Sequence, residues 1–282
     1  MATPADARAV KSLNTSGGRK KFVFKNLAQK VNEIDISGFF KSLEKVKPEP
    51  SEGSSFFRDC LVELRELNTA EDFISFYEEM LPFVQTLPLV IEQKEIIFTK
   101  LVSRLQMDAR LSLDAILRLI AALSRDLLED FIPFLPRIVN SLVALLENGA
   151  KKDADIIKQI FSSWCEILMN LQKYLVRDIE GILRDTLDLR YHPKDYINEL
   201  MSESMSFLLR NARNEQLEKG INRILSEVAD PAKQDGAVDL LYYAMRGTSG
   251  SLHSKAGRVL SFLLKDSTLS FCDNSPQGKS PF

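Results

Sequence analysis

The apolar residues of this chain return every 40 or 41 positions, and that period constrains the fold more than any local motif. Ile138, Leu142 and Leu146 stand 41 positions before Ile179, Leu183 and Leu187, while Ile157, Ile160, Cys165, Leu168 and Met169 stand 40 before Ile197, Leu200, Met205, Leu208 and Leu209. The spacing continues from Leu183, Leu187, Ile197 and Leu200 to Ile224, Val228, Val238 and Leu241, 41 positions on. Within each unit the apolar residues recur at steps of three and four, the period of an amphipathic helix. Two helices in about 40 residues form the pattern of HEAT-like repeats, whose apolar stripes are hidden only when a neighbouring unit stacks on them. The expected fold is all-α, an α-solenoid of HEAT/armadillo-like helical hairpins.

The same periodicity predicts helices over 54–67, 71–86, 89–106, 112–126, 131–147, 153–171, 174–188, 194–211, 215–229, 234–247 and 252–264, with no convincing strand alternation. Asn68, Asp108, Asn148-Gly149, Asp188, His192-Pro193, Asp230-Pro231 and Gly247 supply the corners. Pro133 and Pro136 fall between two strong helical patterns in LSRDLLEDFIPFLPRIVNSLVALLENG. Proline lacks an N–H and is tolerated in a first helical turn, where that donor is unpaired anyway, so the pair marks the start of a new repeat.

Outside the repeats the composition shifts. A basic disordered arm is expected over 1–21, a helical repeat domain over 22–265 and a disordered tail over 266–282. Within the domain, NLAQKVNEIDISGFFKSLEKV predicts one or two short helices, and KPEPSEGSS, residues 47–55, predicts an open loop. Residues 1–30 carry seven cations against Asp6 alone, a balance of +6 that leaves −8 for residues 31–282 within the total of −2. A basic arm thus precedes an acidic body. The array stops without an obvious polar capping repeat, the pattern of a chain built to continue.

With 45% hydrophobic and 27% charged residues the chain can bury a substantial core, and no apolar run is long enough to span a bilayer. The start, MATPADARAVKSLNTSGG, has no secretory-signal pattern, which leaves the glycosylation match at Asn14-Thr15-Ser16 without weight. Cys60, Cys165 and Cys272 are odd in number and far apart, so they predict neither a metal cluster nor a disulfide framework and fit a reducing compartment.

Reactive constellations are not expected either. His192 and His253 lack spaced partners, and His192 before Pro193 reads as a turn residue. SGGRKK lacks the order of a phosphate-cradling loop. Glu78, Glu79, Glu92 and Glu95 read as a solvated face, whereas Trp164, Cys165 and the stripe Phe73, Phe76, Tyr77, Met80 and Phe83 read as core. No enzyme and no cofactor are predicted. The candidate binding residues are Arg19, Lys20, Lys21 and Lys25, which could neutralise phosphates beside the stacking rings of Phe22 and Phe24; the alternative is a solvated tail anchored by those rings. Arg118, Arg125, Arg210 and Arg213 could add local basic spots or simply be exposed.

Three blocks, KKFVFKNLAQKVNEIDI, FFRDCLVELRELNTAEDFISFYEEM and LSRDLLEDFIPFLPRIVNSLVALLE, resemble the N-terminal region of the down-regulated-in-metastasis family of small-subunit-processome proteins. The likeness extends through YLVRDIEGILRDTL and SESMSFLLRNA to about residue 264. It implies part of a longer HEAT-repeat scaffold that associates with the U-three small nucleolar ribonucleoprotein, processome proteins and pre-ribosomal RNA in the nucleolus. The resemblance brings no catalytic residues and no membrane contact. The different-class alternative is a helical-repeat protein-binding adaptor in transport or trafficking, without RNA.

Overall fold

The computed structural model describes residues 24–45, 49–68, 70–106, 113–148, 153–246 and 252–265. The expected arm over 1–21, with Arg19, Lys20 and Lys21, lies outside them, as do Phe22, Cys272, the tail over 266–282 and the corner residues Asp108, Gly149 and Gly247.

Fifteen α-helices are formed by the described residues: α1 (Leu27–Val31), α2 (Ile36–Lys45), α3 (Phe56–Leu67), α4 (Glu71–Met80), α5 (Leu87–Glu92), α6 (Lys94–Leu105), α7 (Leu113–Leu127), α8 (Leu135–Asn148), α9 (Ala154–Leu175), α10 (Ile179–Asp185), α11 (Leu187–Arg190), α12 (Asp195–Asn211), α13 (Asn214–Val228), α14 (Gln234–Met245) and α15 (Ala256–Lys265). No helix among the described residues is long and apolar enough to cross a membrane.

These helices stack in two rows. In the first, α3 packs on α7, α7 on α9, α9 on α12 and α12 on α14; in the second, α6 packs on α8, α8 on α10 and α11, α10 on α13 and α13 on α15. Contacts within a row run to the next rung, and rungs such as α9–α10, α12–α13 and α13–α14 tie the rows together. This is the nearest-neighbour pattern of an all-α solenoid, not of a closed bundle.

The two rows keep different registers. Second-row positions recur at 41, as in Leu142, Leu183 and Ile224, all buried. First-row positions recur at 40 throughout: Ile157, Ile197 and Ala237 are each 0% exposed, and Ile160, Leu200 and Leu240 are buried at the equivalent turn. The expected match of Val238 to Ile197 is therefore one residue out, and Val238 is 49% exposed. Apolarity alone favours valine over alanine, but in α14 the small Ala237 faces the neighbouring helix.

Local chemistry sets the boundaries. Pro136 occupies the first turn of α8, as expected, while Pro133 sits inside a 3-10 turn, Leu128–Phe134, that begins at Leu128 with φ 51°. The helix predicted over 89–106 breaks at Gln93, and the one predicted over 174–188 is two short helices divided at Thr186, whose hydroxyl bonds the Ile182 carbonyl at 2.8 Å. Ser55 caps α3 through the Arg58 N–H, and Asp126 at the end of α7 accepts the Phe56 and Phe57 N–H groups at 2.9 and 2.8 Å. The loop before α3 is tied as well, because Asp59 accepts the Ser51 N–H at 2.7 Å and the Ser54 hydroxyl.

The two N-terminal helices do not form a rung of their own. α1 and α2 lie on α9, and α2 also touches α12, so this segment crosses the middle of the first row. Ile36 and Phe40, one turn apart, are buried there, and the Phe40 ring stacks on Phe207 with centroids 4.0 Å apart. The Ser37 hydroxyl bonds Glu203 at 3.2 Å on the same seam.

Candidate nucleic-acid interface

Phosphate recognition needs cations that the fold has not already paired. Lys25, the described member of the candidate set, forms an ion pair with Glu33. Glu33 in turn borders an acidic cleft of about 370 Å³ with Asp35, Glu199 and Glu203, which repels a phosphate. Phe24 is 83% exposed.

Three of the four internal arginines are committed to structure. Arg118 bonds Glu63 at 3.1 Å, the Arg125 guanidinium lies 3.9 Å from the Phe56 ring centroid, and Arg210 donates to the Tyr243 and Arg246 carbonyls at 2.9 and 3.1 Å. The last contact caps the open carbonyls at the end of α14.

Arg213 is different. It begins α13, and its neighbours across a cleft of about 460 Å³ are Lys173 and Arg177 at the end of α9, together with Gln172, Val176, Asn211 and Gln216. Two successive row-to-row corners, α9 to α10 and α12 to α13, form the two banks. Lys173 and Arg213 form no ion pair among the described residues, and Arg177 rests beside the Tyr174 ring, 5.4 Å from its centroid. Among the described residues, no carboxylate lines this cleft. Sequence reasoning singled out Arg213 but missed Lys173 and Arg177; the signal was the 40-residue offset that places Lys173 and Arg213 at the same first-row position.

The residues considered for catalysis sit elsewhere. Trp164 and Cys165 are fully buried, and Glu78, Glu79, Glu92 and Glu95 are exposed. Burial pushes the Cys60 thiol up to about 12 and raises Cys165 well above its ordinary value, so neither supplies a thiolate at neutral pH. Glu166 and Glu203 are also raised by burial, against the pull of nearby arginines. His192 is 2% exposed, with Nδ1 accepting the Lys194 N–H at 3.2 Å, the turn role its place before Pro193 predicts. No group of three His, Cys, Asp or Glu residues is placed to hold a metal ion among the described residues.

Two curated relatives share this chain's sequence over most of its length. It is 26% identical over 261 residues, 91% of the chain, to the U3 small nucleolar RNA-associated protein 20 of Saccharomyces cerevisiae. It is 23% identical over 255 residues, 87% of the chain, to the protein of the same name from Schizosaccharomyces pombe. In both cases the match spans 10% of the relative's length, so the chain corresponds to about a tenth of either protein. The resemblance read from the three sequence blocks is thus to a family of which this chain covers a part. No protein-family model matches.

Proposed function

From that likeness we propose that the chain is a non-enzymatic scaffold segment of the small-subunit processome, supporting pre-ribosomal RNA processing in the nucleolus. The observation that carries this reading is the coincidence of a two-row helical stack with similarity across about nine-tenths of the chain to two proteins named for association with U3 small nucleolar RNA. A stack of this kind works by geometry: its corners and rows present side chains along a length that a compact domain of equal mass does not reach. The cationic cleft, set in an otherwise acidic body, supports RNA as one partner.

Protein partners are supported by a second surface. On α14 and α15 and the residue before α15's turn, Val238, Tyr242, Leu252, Leu260 and Leu264 are 43–86% exposed, an apolar concentration suited to another helical protein surface. The same surface favours the protein-binding adaptor as the competing reading.

Affinity purification of the tagged 282-residue chain from nuclear extract, with and without ribonuclease, separates the two. Recovery of U3 RNA and pre-ribosomal proteins, reduced by ribonuclease, is the expected result. Concentration of the tagged chain outside nucleoli, with a ribonuclease-insensitive set of transport proteins, would favour the adaptor.

A further inference from the structure

Resting on the RNA-scaffold reading, we propose that the cleft between the α9–α10 and α12–α13 corners binds the phosphodiester backbone of an RNA strand. Lys173, Arg177 and Arg213 converge on it from two different rungs, and its other polar lining is carboxamide: Gln172, Asn211 and Gln216. The adjacent acids are already engaged, Asp178 in accepting the Gly181 N–H at 3.0 Å and Glu215 in pairing with Lys219 at 2.9 Å. Three cations thus share one cleft without an internal counter-charge, an arrangement whose mutual repulsion an anion relieves.

Helix ends agree with this placement. α10 is capped by its own Asp178, whereas α13 starts at Arg213 with no side-chain cap, so no N-cap side chain competes for its first N–H groups beside the cations. A phosphate oxygen in the cleft satisfies such donors and gains from the positive end of the helix.

One atom favours an RNA backbone over a DNA backbone. The Gln216 Oε1 acceptor is buried without a hydrogen-bond partner in a side chain that lines the cleft. It requires a donor. A DNA backbone brings no sugar hydroxyl, whereas a ribose 2′-OH donates while its phosphate meets the cations; an acidic peptide could donate through its backbone N–H groups, so the peptide is a separate arm of the test.

Fluorescence anisotropy of the full chain tests this with labelled RNA and DNA of one sequence, about 12 nucleotides long, and with an oligoglutamate peptide. The parent is expected to bind RNA more tightly than DNA. Lys173→Glu, Arg177→Glu and Arg213→Glu together should weaken RNA at least about tenfold and flatten the log–log salt slope by about 1.4, the value for two phosphates on a single strand. Gln216→Leu should bring RNA toward the DNA affinity. A neutralised arm, with Arg19, Lys20, Lys21 and Lys25 all changed to Gln, should leave the cleft-dependent share intact. RNA affinity unchanged in the triple variant overturns the proposal, and so does loss of peptide binding alone, which reassigns the cleft to a protein. The same chains in nuclear extract keep the two claims apart: recovery of U3 RNA by a triple variant with parental RNA affinity leaves the scaffold reading standing without the cleft, whereas a parent that shows the anisotropy pattern but recovers no U3 RNA leaves the cleft without the scaffold.

Discussion

Two clusters of basic residues in this protein are built in opposite ways. Inside the stack, Arg190 of α11 is 2% exposed and its Nη2 donates to both carboxylate oxygens of Glu227 on α13, at 3.0 and 2.9 Å. The Tyr191 hydroxyl donates to the same carboxylate, and Arg223 approaches it at 3.4 Å. At the corner, Lys173, Arg177 and Arg213 are exposed and face one another across a cleft whose described lining holds no carboxylate. A buried guanidinium survives only because its carboxylate is held in place, so the interior cluster is part of the fold. The corner cluster gives the fold nothing of that kind, which identifies it as the one with room for a ligand.

The largest effect that sharpens this contrast is Glu227→Ala. It strands Arg190 in the interior, where Nε and Nη1 already lack partners, and should cost about 3–5 kcal/mol in urea-denaturation stability. The pair Arg190→Met with Glu227→Leu removes both charges and should restore most of that loss. A cost near zero for Glu227→Ala would make the interior cluster behave like the surface one and break the comparison. Gly236→Ala comes next. A Cβ there would lie 2.9 Å from the Tyr191 ring and 3.2 Å from the Arg190 carbonyl, which is backbone and cannot swing away. About 1–3 kcal/mol of overpacking should outweigh the helix-propensity gain of under about 1 kcal/mol.

The fold was largely legible because burial follows period. Trp164, Phe161 and Cys165, all 0% exposed, lie where the three-and-four spacing of α9 puts them, and the 40/41 offset reports the stacking of rungs. Two things were not legible for physical reasons. The placement of α2 across α9 and α12 depends on tertiary contacts such as Phe40 on Phe207, which leave no mark on the period of α2 itself. The cleft joins residues 173–177 to residues 211–216; the 40-residue offset relates Lys173 to Arg213, but exposed cations have no periodic requirement to satisfy, so the offset gains its meaning only from the rung geometry.

Titration probes a charge of a third kind, buried and without an ionic partner. His192 is held neutral by burial and by the Lys194 charge, with Glu147 opposing, and its pKa lies below the ordinary 6.5. His253 is lowered in the same way by burial, Arg210 and Lys255. A depressed histidine contributes stability that is complete above pH 6.5 and is lost as pH falls from 6.5 through the folded-state pKa, because the unfolded chain then binds the proton first. Urea stability should therefore decline as pH drops below 6.5, and His192→Asn, whose side-chain oxygen can take over the Lys194 N–H, should flatten the decline. Glu166 and Glu203, raised by burial, have the opposite sign: their contribution is complete below the unfolded carboxylate range and lost as pH rises through their folded values. The difference between parent and His192→Asn curves isolates the histidine.

The smallest expected effect is the most discriminating. Removing Lys173, Arg177 and Arg213 as a triple alanine change deletes no hydrogen bond or ion pair recorded for these side chains; it removes mutual repulsion and the contact of Arg177 with Tyr174. Surface changes of this type stay within about 0.5 kcal/mol each, and the relief of repulsion opposes the lost packing, so the midpoint of urea denaturation should match that of the parent. A loss comparable to that of Glu227→Ala would show that the corner cations hold the rungs together, placing them with Arg190 rather than apart from it. An unchanged midpoint combined with weakened RNA binding would show the reverse: those side chains are kept at the edge of the stack for something outside it.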